Sequence, residues 1–145
     1  MKKLVNVLLL LSLYYVTNGQ SLTLIKNGKT KYTIVIPENA TVLEIQSGKV
    51  LQDYLFRMTG VTLPVVADNT GNAPEEILIG RVNRAEQSQV DYAQLKDDGL
   101  LIRTIGKKLI LTGGKEKGII YSVYTFLDQY LGCRKYTSDF TYVPR

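Results

Sequence analysis

Histidine and tryptophan are absent from the 145 residues, and cysteine occurs once, at position 133. Without histidine there can be no Ser-His-Asp triad, no Cys-His dyad, no histidine zinc site and no His-Glu-x-x-His helix of a metalloprotease. A lone Cys133 closes no intrachain disulfide, so the fold must rest on an apolar core. Positive charge is in small surplus, with 18 Lys and Arg against 13 Asp and Glu. These cations are scattered and form no basic run interleaved with aromatics, which argues against a nucleic-acid partner. There is no internal repeat and no low-complexity tract. The longest apolar run, Leu4 to Val16, falls short of the roughly 20 residues a membrane-spanning helix needs.

That run has another use. Met1-Lys2-Lys3 is a short basic start, only Asn6 and Ser12 interrupt the apolar stretch, and the small polar segment Thr17-Asn18-Gly19 follows. This arrangement describes a secretory signal peptide. The expectation is removal of residues 1–19 and export to the periplasm or beyond, with the membrane met only through the cleaved peptide. The remaining residues 20–145 number 126, and loss of Lys2 and Lys3 lowers the net charge from +5 to +3. A chain of that size is one domain. It can bury roughly two thirds of its unfolded surface and needs no metal to fold.

Hydrophobic patterning along the mature chain gives the order β-β-α-β-β-β-β-α. Leu22–Ile25 and Tyr32–Ile36 flank Asn27-Gly28, a strong hairpin signal, because both residues accept positive φ. Pro37 stops the second strand. Thr41 and Glu44 make a capping box, Leu51, Tyr54, Leu55 and Met58 line one helical face, and Gly60 ends that helix. Leu63–Val66 and Ile77–Ile79 are expected strands, separated by a turn-rich loop from Asp68 to Pro74. The polar stretch 81–98 carries no clear pattern. Gly99–Thr104 and Lys108–Leu111 predict a second hairpin. A second helix follows, with Ile120, Val123, Tyr124, Leu127 and Leu131 as its buried stripe and Gly132 as its stop. Two helices with one apolar stripe each suit a mixed sheet covered mainly on one side. The expected fold is an α/β (α+β) two-layer sandwich.

Several residues invite a chemical reading. Gly113-Gly114-Lys115-Glu116-Lys117-Gly118 lies between a strand and a helix and could cradle an anion at the helix start. It is neither Gly-x-Gly-x-x-Gly nor a Walker loop, and a tight turn with close packing is the favoured reading. Cys133 has no base beside it. Arg134 could lower its pKa, yet a small buried hydrophobe is the simpler assignment. Asp97-Asp98 before Gly99 is ordinary turn chemistry, since adjacent residues on a strand face opposite ways, and Asp139 is read likewise. Tyrosine is abundant, at ten residues, and aromatic faces pack on pyranose rings. Tyr54 and Tyr124 are nonetheless read as core positions with a hydroxyl at the edge. Asn39-Ala40-Thr41 is a glycosylation sequon whose threonine already serves as a helix cap. The reading predicts no catalytic residue, no cofactor-binding residue and no metal ligand.

The second helix is more specific. Gly113-Gly114-x-x-x-Gly118-x-x-Tyr121-x-Val123-Tyr124-x-Phe126-Leu127, then Tyr130-Leu131-Gly132-Cys133-Arg134-x-Tyr136, resembles the C-terminal signature of a known accessory domain. That domain precedes the catalytic barrel in family 67 α-glucuronidases and family 20 β-N-acetylhexosaminidases, and related exported proteins of gut Bacteroidetes carry it. Ile34-Val35-Ile36-Pro37, Leu51-Gln52-Asp53-Tyr54-Leu55, Met58-Thr59-Gly60, Leu63-Pro64-Val65 and Ile77-Leu78-Ile79-Gly80 agree in order. The likeness spans nearly the whole mature chain. It implies a zincin-like fold without metal or catalytic residues, the hydrolytic carboxylates lying on the barrel that follows. Position 135 departs from the pattern, being lysine where relatives often have tryptophan. Tyr142-Val143-Pro144-Arg145 falls about where a linker to such a barrel would begin. The expected function is a non-catalytic accessory domain of a carbohydrate-active enzyme, isolated from its barrel. The alternative is a stand-alone exported module that binds a glycan or a protein. Expected partners are a catalytic barrel, as domain or separate chain, and a glycan, with no cofactor.

Overall fold

A computed structural model of the chain describes residues 21–115, 117–135 and 141–144. The signal-peptide expectation at 1–19 and the one at Asp139 lie outside the described residues. A five-stranded mixed sheet has the order β2-β1-β3-β5-β4, built from β1 Thr33–Ile36, β2 Val65–Ala67, β3 Glu76–Ile79, β4 Leu100–Ile105 and β5 Lys108–Gly113. Strands β2, β1, β3 and β5 run parallel, and β4 pairs antiparallel with β5. Helices α1 (Val42–Thr59) and α3 (Gly118–Thr125) pack side by side on one face. The two-layer sandwich is what the structure shows.

Alternation along the strands sorts side chains between two clusters. Ile34, Ile77, Ile79, Leu109 and Leu111 face the helices and meet Leu51, Leu55, Val123 and Leu127. Val35, Leu78 and Ile110 face the other way. Among the described residues no long helix covers this second face. It is closed instead by the segment the sequence left ambiguous, which contributes Val82, Val90, Tyr92 and Leu95 from a 3-10 turn (Ala85–Gln89), a one-turn helix α2 (Tyr92–Leu95) and their connections.

Local signals fix the ends of α1 as expected. Thr41 Oγ accepts from the Glu44 amide at 3.3 Å, and Glu44 Oε2 accepts from the Thr41 amide at 2.8 Å. Gly60 closes the helix with φ 73°. The first hairpin needs correction. Asn27 and Gly28 do adopt positive φ, but only one bridge forms, between Lys26 and Lys29. Leu22–Ile25 is not a strand because β1 gives both its edges to parallel neighbours, β2 and β3. Its apolar side chains pack against the helical-side core instead. The second hairpin forms with a two-residue turn at Gly106-Lys107. The expected strand at 63–66 shifts to 65–67, and Leu63 is buried just before it.

The second helix also differs from expectation. After Thr125 it widens into a π-helical turn, Phe126–Tyr130, and Leu131 N–H bonds Phe126 O. Gly132 (φ 72°) then ends it, with Cys133 N–H returning to Leu127 O at 2.9 Å. A short ribbon, β6 (Arg134–Lys135) with β7 (Thr141–Tyr142), completes the described chain.

Candidate functional site

The glycine-rich turn is a packing device. A β-carbon on Gly114 would lie 2.3 Å from Asp97 O, one on Gly118 2.2 Å from Gly99 O, and one on Gly113 2.2 Å from Gly118 C. These contacts let the turn before α3 cross directly over the segment 96–99, which side chains would prevent. The start of α3 is not an open anion site, because the Lys117 amide donates to Asp98 Oδ1 at 3.1 Å. That bond also accounts for Asp98. Asp97 is exposed beside it.

Cys133 is buried as expected, with its sulfur 3.8 Å from Met58 Sδ. Burial pushes the thiol above its ordinary pKa, Arg57 pulls it down less, and Asp128 pushes it up. Arg134 is instead engaged with Asp128.

Tyr54 and Tyr124 are brought together, Tyr54 packing half-buried against the helical-side core as expected and Tyr124 lying outside it. They border a groove of about 430 Å³ between α1 and α3, completed by Leu127, Asp128, Cys133, Lys135 and Thr141. Tyr124 is 44% exposed, which corrects its assignment to the buried stripe. The buried arc of α3 holds Ile119, Ile120, Ser122 and Val123, leaving Tyr121 and Tyr124 on the outer side. A helix packed against both a sheet and a neighbouring helix buries a wide arc, and spacing alone does not say where that arc ends. Tyr54 is half-buried, and the Arg57 guanidinium carbon stands 5.1 Å from its ring centroid. That distance suits a cation–π contact. Asp128 is ion-paired with Arg134, and Lys135 makes no ion pair among the described residues. The groove therefore combines two aromatic walls, an apolar floor and charged groups at its rim.

A second constellation was not anticipated. Glu76 is 1% exposed on the face away from the helices, and it meets Arg84 and Lys108, both buried. Arg84 Nε lies 3.0 Å and Lys108 Nζ 3.1 Å from Glu76 Oε2, and Lys108 also reaches Glu86 Oε1 at 3.3 Å. Arg84 further donates to the carbonyls of Asp68 at 2.8 Å and Thr70 at 3.3 Å. Burial would raise the Glu76 pKa, but bonds from Arg84, the Ala73 amide and Lys108 outweigh it and hold the carboxyl below its ordinary value. Two acids and two bases balance, and Arg84 and Glu76 tie the cluster to the loop from Asp68 to Pro74 through the carbonyls of Asp68 and Thr70 and the Ala73 amide. The signal was in the pattern: Glu76 and Lys108 open strands whose later residues are all buried, on the same side as Leu78 and Ile110.

Among the described residues no group of three or more His, Cys, Asp or Glu side chains is placed to hold a metal ion. No described helix is long and apolar enough to cross a membrane. The family model described as glycosyl hydrolase family 67 N-terminus matches residues 18–126. No curated protein matches the chain significantly.

Proposed function

Because the chain belongs to the family of glycosyl hydrolase family 67 N-termini, we propose that it serves as a non-catalytic accessory domain of an α-glucuronidase-type enzyme. Hydrolysis is left to a separate barrel, on the same chain or on a partner. The observation that carries this reading is how the acids are used. Glycoside hydrolysis usually needs two carboxyl groups facing one another across the scissile bond, one of them with a raised pKa. The groove between the helices holds one described acid, Asp128, and that acid is ion-paired. Of the two buried acids among the described residues, Glu44 belongs to a capping box and Glu76 to the ion cluster, which lowers its pKa.

Half-exposed Tyr121, Tyr124, Tyr130 and Tyr142 all lie on α3, its π extension or the C-terminal ribbon. An apolar surface of that kind suits docking of a second domain. The wider kinship with family 20 hexosaminidase domains and a zincin-like fold belongs to the same reading and rests on the motif likeness at 34–37, 51–60 and 113–136. So does export with residues 1–19 removed, which N-terminal sequencing of the secreted product tests. Met1-Lys2-Lys3 retained there would overturn it. The alternative, a stand-alone module binding a glycan or protein, draws support from the tyrosine groove.

The test of the accessory role is incubation of purified residues 20–145 with aryl glucuronides, aryl N-acetylhexosaminides and xylan-derived oligosaccharides. No turnover is expected. Turnover above background that vanishes on changing one Asp or Glu to Ala would overturn the reading. Sequencing the DNA beyond codon 145 tests whether a barrel follows in the same gene.

A further inference from the structure

We propose that the open edge of β4 pairs two copies of this chain into a two-fold dimer, in which Ile102 lies opposite the partner's Ile102 and each Leu100 covers an apolar pocket of the other copy. This lies outside the accessory-domain reading, which stands or falls on hydrolysis.

The six residues of β4 pair with β5 on one side, and among the described residues no strand lies on the other. The opposite edge of the sheet, β2, is only three residues long. Proteins usually blunt an open edge with a very short strand, a proline, a bulge or a charge. Leu100-Leu101-Ile102-Arg103-Thr104-Ile105 has no proline, and its register with β5 runs without a bulge. Its one charge, Arg103, turns back onto the second face, where Nη1 donates to Gln89 O at 2.8 Å. The turn at Gly106-Lys107 fixes the hydrogen-bonding phase. A two-residue loop makes Ile105 and Lys108 a hydrogen-bonded pair, and such pairs alternate along an antiparallel ladder. Arg103 and Leu101 therefore also direct their amides to β5, in agreement with the bond from Gly114 N–H to Gly99 O at 2.8 Å. Leu100, Ile102 and Thr104 direct theirs off the edge, and no backbone bond outside the ladder involves them among the described residues.

The same strand carries both halves of a side-chain contact. Ile102 packs with the helical-side core, and Leu101 and Ile105 with the other. Alternation puts Leu100 and Thr104 on the face of Ile102. Leu100 is 37% exposed. Ile102 and Thr104 line an apolar pocket of about 580 Å³ with Leu24, Met58, Phe126 and Tyr130. Within one chain Leu100 stands roughly 13 Å along the strand from Thr104, too far to cover its own pocket. A two-fold axis at Ile102 sets Leu100 opposite the partner's Thr104 and returns the contact, as a self-complementary interface requires. Opposite β-carbons stand roughly 5 Å apart, so the leucine reaches the mouth of the pocket. Backbone pairing of Leu100 with the partner's Thr104, Ile102 with Ile102 and Thr104 with Leu100 then supplies about six hydrogen bonds. An axis at Arg103 would set like charges directly opposite, which is unfavourable. An axis at Leu101 would forfeit one of the bonded pairs. With the axis at Ile102, each arginine lies opposite the partner's Leu101, along which its aliphatic stem can pack.

Sedimentation equilibrium and amide hydrogen exchange on residues 20–145, which contain every described element, test the pairing. A monomer–dimer equilibrium is expected at about 0.1–1 mM, the weak range of a small interface. No larger species is expected, because β2 offers no comparable edge. Over that range the exchange rates of the Leu100, Ile102 and Thr104 amides should roughly halve as the monomer fraction falls by mass action. Those of Leu101, Arg103 and Ile105 should stay slow throughout. Thr104→Pro removes a donor that only the partner uses, and edge strands admit proline at such a position. It should leave the fold intact by melting temperature and weaken dimerisation at least about tenfold. Leu100→Lys, which keeps every backbone bond, should weaken it as much, so damage by the proline cannot explain both results. Val42→Lys, at an exposed site on α1, should leave the dimer unchanged. The proposal is overturned by a single-chain mass up to about 1 mM, by assembly beyond two chains, by a dimer that survives either β4 variant, or by concentration-dependent protection at other amides.

Discussion

Arg84 grips Glu76 with two prongs, Nε to Oε2 at 3.0 Å and Nη2 to Oε1 at 3.1 Å, in a site that water barely reaches. The same guanidinium holds the carbonyls of Asp68 and Thr70. One side chain thus ties the connection between β2 and β3 to the segment covering the second face of the sheet. Arg84→Met should cost about 3–5 kcal/mol, because it strands part of a buried charge network and several carbonyls at once. Urea denaturation measures it. A loss under about 1 kcal/mol would mean that the cluster is solvated and that the loop is held by something else.

The same cluster sets an acid response. The ordinary value for this carboxyl is 4.5, and its folded pKa is lower because Arg84, the Ala73 amide and Lys108 together outweigh the effect of burial. A carboxyl with a depressed folded pKa stabilises the fold above its unfolded pKa, and that contribution is lost as pH falls through the folded value. The urea midpoint of the wild type should therefore decline as pH drops below about 4.5. Glu76→Gln should be less stable at neutral pH but show a shallower decline. Parallel pH profiles for the two proteins would show that Glu76 does not drive it.

The sequence was most legible where a structural cause is local. The Thr41–Glu44 capping box, the glycine stops at 60 and 132 and the Asn27-Gly28 turn all form, because each depends on a few consecutive residues. Pairing is not local. Asn27-Gly28 made its turn, yet the strand before it found no edge, since β1 is enclosed by parallel partners far along the chain. The groove shows the same limit. Tyr54, Tyr124 and Lys135 come from three elements, and only the rotation of α3 on the sheet decides that Tyr124 faces outward. The ion cluster lay partly in the 81–98 stretch, where polar residues look like loop until Arg84 is seen to turn inward.

Close packing at the turn before α3 makes a sharp steric prediction. The atoms that a β-carbon on Gly114 would strike, Asp97 O and Lys96 O at 2.3 and 2.4 Å, are backbone and cannot swing aside. Gly114→Ala should destabilise by about 1–3 kcal/mol, the usual cost of overpacking. Gly71 has open space around it, so Gly71→Ala serves as the control and should be neutral or slightly stabilising through reduced freedom of the unfolded chain. Similar melting temperatures for the two variants would refute the close approach.

The last prediction concerns the thiol. Cys133 is 5% exposed and sits against Met58. Two effects then suppress its chemistry in the same direction. Burial raises the pKa, and the opposing pull of Arg57 is the smaller term, so less of the reactive thiolate is present at a given pH. Burial also bars the reagent, so modification must wait for the C-terminal ribbon or the π-helical turn to open. An opening that costs only about 2.7 kcal/mol already slows the reaction about a hundredfold. With an aromatic disulfide reagent at pH 8, labelling of the folded protein should therefore be at least about a hundredfold slower than in concentrated urea. Raising pH from 8 to 9 should speed the unfolded chain about threefold, since an ordinary thiol goes from about a quarter to about three quarters ionised over that range. Labelling of the folded protein at the rate of the unfolded chain would place Cys133 at the surface and remove the floor from the groove.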